Sequence, residues 1–65
     1  MGESLKAIRE RRGLTKVFVA KEVGVHFNTI ANWEQGNSEP DASHLKKLAI
    51  LLECDVEELI DFDVA

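Results

Sequence analysis

The stretch LTKVFVAKEVGVHFNTIANWEQG, residues 14–36, carries two short helical patterns joined by a turn signal. Thr15 is a residue type that caps helices, and Val19, Ala20 and Val23 follow at spacings that share one helical face. Gly24 ends that helix, because the stop wants a left-handed backbone that glycine adopts without a Cβ clash. His26 or Asn28 can open the next helix, whose inward residues are Ile30 and Trp33, while Val25 plugs the elbow. Ala20 is small where two crossing helices approach most closely. Two short helices, a tight turn and a polar outer face on the second make a helix-turn-helix.

Working outward, three more helices are readable. The first runs from about Glu3 to Arg12, buries Leu5 and Ile8, and stops at Gly13. After the central pair, Gly36-Asn37-Ser38-Glu39-Pro40 is a loop. Asp41 can cap the next helix, whose Leu45, Leu48, Ala49 and Leu52 fall at i, i+3, i+4 and i+7. Glu53 stands where glycine or asparagine would be the easy stop, which implies strain or a different turn. Asp55 and Glu58 have capping-box spacing for a short last helix with Val56, Leu59 and Ile60. Nothing alternates with period two over a useful length, so the expected architecture is all-α, a compact five-helix bundle.

At 65 residues the chain has room for one domain, expected to span 1–65, with a small core and marginal stability. No apolar run approaches the roughly 18 residues that a membrane span needs. MGESLKAIRE lacks an apolar signal core and completes no myristoylation pattern, so the expected location is the cytoplasm. A single cysteine, Cys54, cannot pair internally, and its apolar neighbours suggest a buried thiol.

From Leu5 to Ile60 the chain resembles the lambda-repressor/Cro type, or XRE, family of DNA-binding domains. The matching residues are Ile8-Arg9, Gly13-Leu14-Thr15, Val19-Ala20, Gly24-Val25, Thr29-Ile30 and Trp33-Glu34-Gln35-Gly36. They continue with Glu39-Pro40, Leu45, Leu48-Ala49, Leu52, Asp55-Val56 and Glu58-Leu59. The resemblance implies a sequence-specific transcriptional regulator, a repressor of phage or bacterial type, that lays the second helix of the pair in the major groove. Two features depart from the family pattern. Lys16 replaces the usual Gln, so an amide able to donate and accept becomes a cation. Val17 and Phe18 occupy places that are often polar, and Phe18 either folds back on the first or fourth helix or stands exposed as an anchor.

Carried over position by position, the outward residues of the recognition helix are His26, Phe27, Asn28, Thr29 and Asn32. Asn28 is the foremost candidate for base readout, since an amide can donate to and accept from adenine in one plane, and Asn32 lies one turn along the same face. The alternatives are that both are merely solvated, or that Asn28 caps the helix. Phe27 lacks a hydrogen-bonding group, which leaves apolar contact with a thymine methyl or a sugar. His26 either contacts the DNA or simply starts the helix. Phosphate contacts are expected from Thr15, Lys16, Thr29, Gln35 and Asn37; Thr15 can also cap its helix, and Gln35, Asn37 and Ser38 also read as loop residues, the reading favoured for Ser38. The resemblance sets Arg9 opposite Glu34 as a structural ion pair. Arg11 and Arg12 read as a solvated face, with room for one phosphate contact.

The net charge of −4 argues at first against a nucleic-acid partner, but its distribution does not. Residues 1–38 hold six Lys/Arg against four acids, whereas residues 39–65 hold two lysines against eight acids. Such a bipolar domain can turn its less acidic half to DNA. The competing reading is a protein-interaction module of the same fold, with little DNA affinity, that binds another regulator or a polymerase subunit. A homodimer through Leu59, Ile60, Phe62 and Val64 would double the contacts to a symmetric operator, although Phe62 could equally close a monomer core. Catalysis is not expected, since no triad, metal cluster or phosphate loop is present in the sequence, and no cofactor or metal is implied.

Overall fold

The computed structural model describes residues 2–60, and all regular structure among them is helical. The elements are α1 (Gly2–Arg11), α2 (Lys16–Val23), α3 (Phe27–Gln35), α4 (Ala42–Leu52) and α5 (Val56–Leu59). α1 packs on α3 and α5, α2 on α3 and α4, and α4 on α5. One core fills the space between them. Leu5 and Ile8 come from α1, Val19, Ala20 and Val23 from α2, Ile30 and Trp33 from α3, Leu48 and Leu52 from α4, and Leu59 from α5. Leu14, Val25, Leu45, Ala49, Leu51 and Cys54 pack around its rim.

Local chemistry sets most helix ends. Thr15 is extended (φ −87°, ψ 159°) and its hydroxyl accepts from the Phe18 N–H at 3.1 Å. Asp41 Oδ1 accepts from the His44 N–H at 2.9 Å, which starts α4. At α5 the Asp55 N–H donates to Glu58 Oε2 at 2.8 Å, the reciprocal arm of a capping box. Each bond satisfies a donor that the first turn of a helix leaves without an intrahelical partner.

α4 ends differently. Glu53 is the one non-glycine residue with positive φ (54°) among the described residues, and its left-handed turn lets the Cys54 N–H reach the Ala49 carbonyl at 3.0 Å. Arg12 holds this turn from across the molecule. Its Nε donates to the Leu52 carbonyl at 2.8 Å and its Nη2 to the Glu53 carbonyl at 2.9 Å. A cation at a helix C-terminus also meets the negative end of the helix dipole. The expectation of a merely solvated Arg12 is therefore corrected: the guanidinium binds two terminal carbonyls of α4 beyond those that the local backbone turn satisfies.

Two further expectations change. Leu59 cannot belong to a dimer surface, because its side chain is fully buried where α5 packs on α1 and α4. Ile60 is half-buried, and Phe62 and Val64 lie outside the described residues. Phe18 is 43% exposed and stands apart from the core, so it does not fold back into it.

The joint that orients α3 is ionic. Arg9 Nε donates to Glu34 Oε2, Nη2 donates to Oε1 at 3.2 Å, and Nη1 donates to the Leu14 carbonyl at 2.7 Å. Both side chains are over nine-tenths buried, at 9% and 3% exposure. The planar fork ties α1, the approach to α2 and the end of α3 into one unit.

Stability outcomes are expected at two sites in urea unfolding. Removing one partner, as in Arg9→Met, leaves an uncompensated buried carboxylate and costs about 3–5 kcal/mol, whereas Arg9→Met with Glu34→Leu stays near wild type. At the α4 terminus Arg12→Ala costs about 1 kcal/mol. Glu53→Gly gains about 0.5 kcal/mol, as relief of left-handed strain outweighs the added unfolded-state entropy.

Candidate nucleic-acid interface

Two helix starts and one loop form the surface of interest. The turn between α2 and α3 is closed by the Gly24 and Val25 N–H groups, which donate to the Ala20 carbonyl at 2.8 and 2.9 Å. Gly24 adopts φ +86°, and half-buried Val25 seats the turn on the core. The start of α3 is thereby fixed against α2.

His26 opens α3. Its backbone is extended (φ −73°, ψ 151°) and its Nδ1 accepts from the Asn28 N–H at 3.0 Å. With Nδ1 acting as an acceptor, the proton of a neutral ring sits on Nε2, which remains a donor. The cap falls to His26 and not to the Asn28 side chain. Asn28 is exposed, as is Asn32 four residues on, while Thr29 between them is half-buried. The opposite face of α3 is sunk into the protein through Ile30, Trp33 and Glu34.

The first residues of α2 and α3 meet. Lys16 Nζ lies 5.9 Å from the centroid of the Phe27 ring, within cation–π range. Phe27 is 42% exposed and stands outside the core. Thr15, beside Lys16, commits its hydroxyl to the cap of α2. Beyond α3, Gly36 turns at φ +79°, and the Asn37 N–H donates to the Asn32 carbonyl at 2.9 Å. The Asn37 side-chain amide donates to Gln35 Oε1 at 3.2 Å, so these two exposed residues hold each other.

One supporting contact was not read from the sequence. His44 packs its ring against Trp33, with centroids 5.5 Å apart and planes at 47°, and its Nδ1 lies 3.0 Å from Asp41 Oδ1. The contact joins the start of α4 to the buried face of α3. The only sequence signal for it is the three-residue spacing of Asp41 and His44.

Elsewhere the described residues offer little chemistry. Among the described residues no three His, Cys, Asp or Glu side chains are grouped to hold a metal, and no helix is long and apolar enough to cross a membrane. The Cys54 thiol is pushed up in pKa, first by burial and then by the neighbouring Glu58 carboxylate, which keeps it from being a ready nucleophile.

A helix-turn-helix family profile matches residues 5–59. The chain is 31% identical over 65 residues to repressor protein C2 of Salmonella phage P22, an alignment that covers all of this chain and 30% of that protein. Among solved structures, the P22 c2 repressor in complex with a synthetic operator superposes with a TM-score of 0.87 at 31% identity, covering 95% of this chain and 94% of that one. The restriction-modification controller protein C.AhdI from Aeromonas hydrophila gives a TM-score of 0.83 at 25% identity, covering 91% and 89%. The chain spans about a third of the curated relative's length, and it belongs to the helix-turn-helix family in its XRE, lambda-repressor-like branch.

Proposed function

We propose that this domain binds double-stranded operator DNA in a sequence-specific way and represses transcription in the cytoplasm of a bacterium or during phage growth. The carrying observation is a helix with two faces of opposite character. α3 is anchored by Ile30, Trp33 and the Arg9–Glu34 clamp, while Asn28 and Asn32 stand exposed one turn apart. An amide row on a firmly seated helix suits the major groove, where each base pair presents a distinct pattern of donors and acceptors. The similar P22 c2 repressor was solved in complex with a synthetic operator, which supports the DNA-binding reading.

In this reading Asn28 and Asn32 read base edges, and Phe27 touches an apolar base group. His26 offers Nε2–H at the groove's edge. Lys16, the first N–H groups of α2 and Thr15 face one phosphate, while Gln35, Asn37 and Thr29 face the other strand's backbone. Two of the eight cations, Arg9 and Arg12, are committed to internal bonds, which leaves a weakly charged face. Affinity therefore leans on base and shape complementarity more than on bulk attraction. Pairing of two copies on two half-sites would supply the second set of contacts, with Ile60 and the residues after it as the candidate seam.

Selection from a random DNA pool should return a motif, and a palindromic one if the domain pairs. Asn28→Ala and Asn32→Ala should each weaken that site about tenfold or more, with little effect on random DNA. Lys16→Ala should lower affinity for all sequences and flatten the salt slope by about one. Recovery of no motif, with a protein partner bound in a salt-insensitive way, would favour the interaction-module reading instead.

A further inference from the structure

We propose that Lys16 and Phe27 act as one unit that reads the C5-methyl group of a pyrimidine in the major groove. The proposal rests on α3 being the DNA-reading helix and adds what one end of it reads. Phe27 is the first residue of α3, and a phenyl ring there can neither donate nor accept a hydrogen bond. It is 42% exposed and outside the core, so burial in the monomer does not account for it. Along the floor of the major groove the thymine C5-methyl is the apolar feature on offer, and phenylalanine is among the side chains that match it.

Lys16 supplies the brace. Its ammonium sits 5.9 Å from the ring centroid, on a half-buried side chain at the first position of α2. The contact restrains the ring before binding, which lowers the ordering cost when the methyl group docks. The ammonium has three N–H donors, so it can attend to the ring face and still reach a phosphate. An unmethylated cytosine would instead set its N4 amino group near a surface that cannot accept from it. The preference is therefore for thymine or 5-methylcytosine over cytosine, and it is set by a contact across two helices.

The test is a base-analogue scan of the selected site with the intact chain. Replacing each thymine in turn by deoxyuridine removes one methyl group and nothing else. At one position per half-site this should weaken binding about fourfold, the worth of one buried carbon. Placing cytosine there should weaken it further, and 5-methylcytosine should recover about that same factor. Phe27→Ala should abolish the uracil effect, Phe27→Leu should retain part of it, and the Asn28 position should keep its own discrimination. Lys16→Met should shrink the uracil effect, and Lys16→Arg should restore it. A site with no methyl-sensitive position, or a uracil effect unchanged in Phe27→Ala, overturns this proposal alone. A random pool that yields no motif overturns it together with the DNA reading. The uracil scan uses the wild-type chain, so a scan without a methyl-sensitive position overturns the proposal even if a variant fails to fold. The graded Phe27→Leu and Lys16→Arg variants carry the assignment if Phe27→Ala does not fold.

Discussion

The Arg9–Glu34 clamp is the constraint on which the rest of the structure turns. A domain this small has few ways to fix a nine-residue helix at one angle, since apolar packing tolerates small rotations and slides. A planar guanidinium facing a carboxylate tolerates them poorly, because its hydrogen bonds are directional. The cost of removing both charges from water offsets most of their attraction, so the pair contributes less to stability than its short distances suggest. Its contribution is orientation. The same guanidinium holds the Leu14 carbonyl, so the angle of α3 and the entry to α2 are set by one side chain.

Many of the charged side chains serve the structure. Arg12 is spent on the exposed end of α4, and Arg9 on the clamp. Asp41, Asp55 and Glu58 hold helix starts. The acidic end of the chain is thus partly a set of caps, which accounts for a DNA-binding fold with a net charge of −4. What remains for a nucleic acid is amides, a cation stacked on a ring, and helix N-termini. Under the proposed DNA-binding reading, such a face gains little from counterion release and discriminates by fit.

Features governed by neighbours in sequence were legible from the residues. Thr15, Asp41 and the Asp55–Glu58 spacing each act within one helical turn, and Gly24 and Gly36 act at their own backbone angles. Features that join distant segments were not. Arg12 reaches carbonyls 40 and 41 residues away, and no local pattern separates it from Arg11. The strain at Glu53 was visible, but its remedy was not. Leu59 was misplaced because periodicity shows which face of a short helix is apolar, not whether this chain or a second copy covers it. For the interface, residue types came from spacing and resemblance. The contact between Lys16 and Phe27 needed the crossing angle of α2 and α3, which no sequence pattern states.

The most direct test uses the charge-free double variant, Arg9→Met with Glu34→Leu, which keeps the core filled but removes the directional clamp. The quantity to measure is the ratio of its affinity for the selected operator to its affinity for random DNA, with helicity checked by circular dichroism. If the clamp's role is to aim α3, that ratio falls at least tenfold while random-DNA affinity stays within a factor of about two. A folded double variant that keeps the wild-type ratio would contradict the account.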